Sequence, residues 1–236
     1  MPPAAVVIPA FREATRVGAT VRAAAALPGV ELVVVVDDAS PDATAEVAAE
    51  AGAVVLRRAA NRGKGGALEL GVAEVDVRLG PDAEPLVFLD ADLEGSASAA
   101  EALLEPVVGG AADLAIGVLP PQRREGGGRG FVVRLARDGI AEATGWAPEQ
   151  PLSGQRCLTR AAYRAALPLA HGWGVEVGMT IDLLRAGFRV VEVPADLHHR
   201  VSGAGPRAQV HRGQQHLGVW RALRARGVGP RVPLPR

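Results

Sequence analysis

Short runs of aliphatic, mostly β-branched residues recur along the first half of the chain. Each is followed by a stretch of helical length, and most end on a polar cluster. Ala4–Ile8 reads as a strand bounded by Pro9, and Arg16–Leu27 as a helix. Leu32–Val36 is a continuous apolar run, as expected of a strand buried on both faces, and it ends in Asp37-Asp38. Ser40, Pro41 and Asp42 then open a helix running to about Glu50. Strands at Ala53–Leu56, Leu86–Leu89 and Leu114–Gly117 alternate with helices at Gly65–Val75 and Ala99–Val108. Such alternation predicts an α/β fold, a mostly parallel sheet flanked by helices in a single domain. Ligands of such sheets gather at the carboxyl ends of the strands. Arg12-Glu13, Asp37-Asp38 and Asp90–Asp92 all fall there.

The second half is less regular. Pro120–Gly130 holds two prolines, four glycines and three arginines, and reads as a loop able to close over a ligand. Helices are expected to about Thr144, at Thr159–Leu167 and Val175–Ala186, then a strand at Phe188–Val193 and a basic helix near Gln209–Arg226. The last residues, 229–236, read as a frayed tail.

Composition narrows the function. Acidic and basic residues balance at 26 each, which argues against bulk capture of nucleic acid. Cys157 is the one cysteine, so neither an internal disulfide nor a multi-cysteine metal cluster is available, and a reducing cytoplasmic setting fits. No apolar run approaches the roughly 18 residues of a bilayer span. Lys64 is the only lysine among 25 arginines. From Leu197 onward there are eight arginines, four of the five histidines and no acid. That segment reads either as a peripheral membrane contact or, preferred here, as a helix packing Leu217, Trp220 and Leu223 onto the domain.

Three motifs carry chemistry. In Asp90-Ala91-Asp92, two carboxylates at i and i+2 after a buried strand can serve one hard cation, Mg2+ or Mn2+, that bridges to a diphosphate. Asn61-Arg62-Gly63-Lys64-Gly65-Gly66 opens a helix with turned amides and cations suited to phosphate, although the Walker spacing is absent. Pro9-Ala10-Phe11-Arg12-Glu13 and Asp37–Asp42 bring acids to neighbouring strand ends; Asp42 suits a helix cap and Asp38 a ligand.

Taken in order, these motifs resemble the GT-A glycosyltransferases of family 2, with polyprenyl-phosphate sugar synthases the nearest cousins and glucosyl-3-phosphoglycerate synthases also similar. The resemblance spans about Val6 to Arg200. It implies that Pro9, Ala10, Phe11 and Glu13 line the nucleoside pocket with Asp38 on the base. Arg62, Gly63 and Lys64 would lie near the diphosphate, and Asp90, Ala91 and Asp92 at the ribose and metal. It also implies an acceptor-side segment at Ser153-Gly154-Gln155-Arg156, an active-site acid at Glu176, and a metal-completing histidine at His199. Glu176 would act as base for an inverting reaction or orient the acceptor. Residues 1–118 would form the nucleotide-sugar half and 119–228 the acceptor half. The implied activity is metal-dependent transfer from a UDP-glucose or GDP-mannose type donor to a phosphate-bearing acceptor such as polyprenyl phosphate or 3-phosphoglycerate. The family pattern has Asn where this chain has Arg12 and Gly where it has Ala39. Rival readings are a sugar-phosphate nucleotidyltransferase, whose G-G-x-G-T-R loop is missing, and a non-catalytic nucleotide-sugar binder.

Overall fold

The structure is a computed structural model that describes residues 3–120, 130–198 and 206–229, with side chains from 213 onward in the last of these. Strands β1 (Ala4–Ala10), β2 (Val30–Asp37), β3 (Val54–Arg57), β4 (Leu86–Phe88), β5 (Leu114–Val118), β6 (Arg156–Leu158) and β7 (Val190–Pro194) form one sheet in the order β3-β2-β1-β4-β6-β5-β7. All pairings are parallel except those of β6, which runs antiparallel to both β4 and β5, with Cys157 opposite Val87 and Ala115. The expected mostly parallel α/β sheet is therefore present.

Helices cover both faces. One face buries Val6, Ile8, Val33 and Val35 against α1 (Val17–Ala25), α2 (Thr44–Glu50) and α4 (Glu101–Val108). The other buries Val7, Val34, Val36 and Phe88 against α3 (Lys64–Leu79), α6 (Arg160–Ala165) and α7 (Val175–Arg185). Alternate residues of β1 thus feed opposite cores, and each fully buried Val or Ile stabilises by about 1.5–3 kcal/mol before entropy is counted. Gly71 lets α3 settle on β1, because a Cβ there would overlap the Val7 side chain.

A third cluster joins α5 (Phe131–Thr144), α7 and α8 (Pro206–Ala225) through Ile140, Val177, Ile181, Val219 and Leu223. Here the packing expected of the basic helix is only partly found. Leu223 is buried, as are Val219 and Ala222, whereas Leu217 and Trp220 face outward. Their spacing explains this, since residues 217 and 220 lie on the stripe opposite 219, 222 and 223.

Element boundaries shift by one to three residues in most cases, with three larger differences. Helix α3 runs four residues past the expected Val75, to Leu79. The helix expected from Ala99 is preceded by a 3-10 segment at Glu94–Ala100. No element was expected between Gly154 and Thr159, where the chain forms β6. Most of the Pro120–Gly130 loop lies outside the described residues.

Candidate active site

The tips of β1 and β2 are tied together by one backbone bond and two side-chain hydroxyls. Asp38 N–H donates to the Ala10 carbonyl at 2.9 Å, Arg12 N–H to Ser40 Oγ at 2.9 Å, and Glu13 N–H to Thr44 Oγ1 at 2.9 Å. Arg12 and Ala39 both take left-handed backbone, at φ 61° and 66°. Asn and Gly enter that region at least cost. The two departures from the family pattern therefore fall on two strained residues of the rim. Pro9 and Ala10 end β1, and Phe11 is exposed with the Arg12 guanidinium 5.1 Å from its ring centre. Asp42 accepts from Thr44 Oγ1 and N–H, and the side-chain bond holds its pKa below the ordinary value. It bonds the first residue of α2 from one position before the N-cap, which is Ala43 and not Asp42 as expected.

Asp38 is buried and fully engaged. Its oxygens accept from Arg62 N–H at 3.0 and 3.2 Å and from Gly63 N–H at 2.8 Å, and Arg58 lies 3.2 Å away. This carboxylate shapes the turn that starts α3. Gly63 has φ 81°, and Gly65 lies so close to Ala170 that a Cβ would come 2.6 Å from its carbonyl oxygen.

The turn delivers Lys64 to the centre of the site. Its Nζ lies 2.6 Å from Asp90 Oδ1 and 2.9 Å from Glu176 Oε1. Burial by itself would lower the lysine pKa, but Asp90 and Glu176 together outweigh it and push the value up. Lys64 therefore stays an ammonium, joining an acid from the β4 tip to one from the start of α7. Gly154 closes over this ion pair, since a Cβ would overlap Lys64 Nζ and come within 2.9 Å of both Asp90 oxygens.

The segment expected to face an acceptor lies behind Asp90 instead. Gln155, almost wholly buried, clamps Asp90 twice: its Oε1 accepts from Asp90 N–H at 2.9 Å and its Nε2 donates to Asp90 Oδ2 at 2.6 Å. Arg156 is also buried, donating to the Ser153 carbonyl at 3.0 Å and to Thr180 Oγ1 at 3.1 Å. Desolvation pushes its pKa down to about 10, against the pull of Glu176, Glu192 and Asp90. Arg156 thus supplies buried positive charge beneath the site rather than an exposed contact, and the Ser153 side chain is buried too.

One residue and one pairing escaped sequence reasoning. Thr20, fully buried on α1, donates to the Ala91 carbonyl at 2.9 Å and accepts from Glu94 N–H at 2.8 Å, which fixes the Asp90–Asp92 turn. The signal available was a hydroxyl on the apolar stripe Val17, Val21, Ala24. Gln155 was noticed, but not its partner.

Asp92 sits half-buried beyond Ala91. His199 lies outside the described residues; its neighbour His198 is anchored to Ser96, donating its N–H to Ser96 Oγ at 3.0 Å. Among the described residues no three His, Cys, Asp or Glu side chains converge as a ready cation cage. One or two strand-tip carboxylates completed by phosphate oxygens and water is nonetheless a usual setting for Mg2+, and the all-oxygen tip of Asp90 and Asp92 fits it.

Comparison with known proteins gives the family and the fold. Residues 5–165 match the family Glycosyl transferase family 2. The undecaprenyl-phosphate mannosyltransferase of Micrococcus luteus is 32% identical over 218 residues, covering 82% of this chain and 86% of that protein. Glucosyl-3-phosphoglycerate synthase from Mycobacterium tuberculosis, solved with Mn2+, uridine-diphosphate and phosphoglyceric acid, superposes with a TM-score of 0.79 at 25% identity, covering 98% of this chain and 80% of that one. Its complex with Mn2+, uridine-diphosphate-glucose and phosphoglyceric acid gives 0.79 at 26% identity, covering 97% and 81%. With the family matched over more than half its length and GT-A neighbours spanning nearly all of it, this chain is a GT-A glycosyltransferase and belongs to family 2.

Proposed function

We propose that the enzyme moves a hexose from a nucleotide diphosphate sugar, of UDP-glucose or GDP-mannose type, to an acceptor that presents a phosphate. The observation that carries this reading is the ammonium of Lys64, held between Asp90 and Glu176 where the β4 tip meets the start of α7. The donor lies along the β1, β2 and β4 tips, in the half formed by residues 1–118, with the nucleoside against Pro9, Ala10, Phe11 and Glu13 and with Asp38 fixing the turn that carries Arg62 and Gly63. Residues 119–228 form the acceptor half. Arg62, Gly63 and Lys64 face the diphosphate, and Asp92, with Asp90 and His199, would hold Mg2+ or Mn2+. When bound, such an ion neutralises charge developing on the departing diphosphate.

The acceptor class follows from Glu176. Its carboxylate already bonds the Lys64 ammonium at 2.9 Å, so a proton arriving there would disrupt an ion pair. An acceptor that attacks through a phosphate oxygen arrives ionised at neutral pH and needs no base, whereas one that attacks through a hydroxyl and carries its phosphate elsewhere would still need one. Glu176 then positions Lys64 and borders the acceptor, and Gln155 fixes the Asp90 carboxylate. The relatives support this, since one is by its description an undecaprenyl-phosphate mannosyltransferase and the other was solved with phosphoglyceric acid.

Calorimetry with UDP-glucose and GDP-mannose, in Mn2+, Mg2+ or chelator, tests the donor site on the wild type and Asp92→Ala. Binding of one donor that requires metal and is lost in the variant is the expected result. Equal binding in chelator and in Asp92→Ala would refute the metal assignment. Transfer to polyprenyl phosphate and to 3-phosphoglycerate, compared with their dephosphorylated forms, then tests the acceptor class.

A further inference from the structure

The β4 tip already holds a cation, the ammonium of Lys64. Both Asp90 oxygens are engaged, Oδ1 by Lys64 Nζ at 2.6 Å and Oδ2 by Gln155 Nε2 at 2.6 Å. The two holds differ in kind. Gln155 also accepts from Asp90 N–H at 2.9 Å, so it grips the residue by backbone and side chain together. Lys64 holds Oδ1 by one ammonium on a flexible methylene stem, and shares that ammonium with Glu176 Oε1 at 2.9 Å. Its two acids differ as well, since the Glu176 side chain is 7% exposed and that of Asp90 32%. Of these bonds, the one from Lys64 to Asp90 is the easiest to exchange.

The surroundings favour such an exchange. Arg156 carries a second positive charge beneath the site, on which Glu176 and Asp90 both act, and its Nη2 is buried without a hydrogen-bond partner. The acids therefore keep a counter-charge when Lys64 turns away from one of them. Lys64, Gly154, Arg156 and Glu176 also border a common void of about 10 Å³, so the ammonium is not close-packed on that side.

We infer that Lys64 is a place-holder for the divalent cation: its ammonium keeps Asp90 closed to Mg2+ or Mn2+ until the donor diphosphate draws it off, with Glu176 as its pivot. Two cations at bonding distance from one carboxylate oxygen repel each other, whereas phosphate oxygens supply the negative charge that lets Lys64 leave. The inference rests on the donor site proposed above and adds an order to it, in which the ion does not settle before the nucleotide sugar.

Titration of the full chain with Mn2+ alone, read by the electron paramagnetic resonance of the free ion, tests the block. Lys64→Met should bind Mn2+ about tenfold more tightly than wild type or better, and Lys64→Met/Asp90→Asn should lose that gain. Equal affinity in wild type and Lys64→Met, or a gain that survives Asp90→Asn, would overturn the inference. A second measurement needs no variant. Lys64 is the only lysine, so labelling with 13C at lysine Cε gives the wild type one side-chain resonance to follow. It should hold its place in Mg2+ alone and shift when Mg2+ and uridine-diphosphate are added together. A resonance that moves as far in Mg2+ alone, or stays still where calorimetry shows uridine-diphosphate bound, would equally overturn the exchange. Absence of nucleotide binding would instead count against the donor site, and the Mn2+ titrations would still decide the role of Lys64.

Discussion

Two acidic tips stand on either side of β1, Asp37-Asp38 at the end of β2 and Asp90-Ala91-Asp92 just beyond β4. In sequence they look alike, paired carboxylates after an apolar strand. The structure treats them differently. Asp37 and Asp38 are buried and accept mainly from backbone amides of Ser40, Arg62 and Gly63. Asp90 keeps a third of its side chain exposed and bonds the side chains of Lys64 and Gln155. A carboxylate filled by backbone amides shapes the chain, whereas one held by side chains at a half-open rim remains able to meet a ligand. The β2 tip is thus chiefly architecture and the β4 tip chiefly chemistry.

Substitution at both tips would break or sharpen that contrast. Asp92→Ala should cost about a thousandfold in transfer rate while leaving the melting temperature within a few degrees of wild type, as measured by turnover and calorimetry. Asp38→Ala should do the reverse, losing about 3 kcal/mol of stability in urea titrations because two amides and Arg58 lose their partner. If both variants lost only activity, the distinction would fail.

Lys64→Met probes the link between the chemical tip and α7. At pH 8 it should lose about 2–3 kcal/mol, because it leaves the buried Glu176 and Asp90 without their shared cation. The sign with pH is fixed. In the wild type a raised lysine pKa contributes stability that is fully present below the lysine's ordinary value and lost only in strong alkali. A variant as stable as the wild type at pH 8 would contradict the ion-pair geometry.

Gln155→Leu should cost about 1–2 kcal/mol and lower transfer further than stability explains, since Asp90 loses both clamping bonds. The smallest effect is expected at Ala39→Gly, which relieves a positive φ and should raise stability by about 1 kcal/mol.

Much of the donor rim was legible because buried parallel strands announce themselves as apolar runs, and the residue after each run must lie at the rim. Gln155 and Arg156 were not, because β6 has only three residues and no alternation to reveal it. Their polar side chains suggested an accessible acceptor segment, yet burial satisfied by Asp90, Ser153 and Thr180 is what the fold imposes. Thr20 was hidden for the opposite reason, a single hydroxyl within an apolar helix stripe whose partner lies 71 residues away. Outward placement of Leu217 and Trp220 was equally invisible, since helical phase depends on which neighbour the helix meets.

The reversed direction of β6 has one more effect. Each parallel strand reaches the rim as it leaves the sheet, but β6 reaches it on the way in, so the chain leading into that strand is what meets Asp90. Gly154 and Gln155, at the end of that approach, touch the Lys64–Asp90 pair directly, so a change of length ahead of them would be felt at the β4 tip. The approach to β6, rather than its exit, is the stretch through which a change of sequence reaches Asp90.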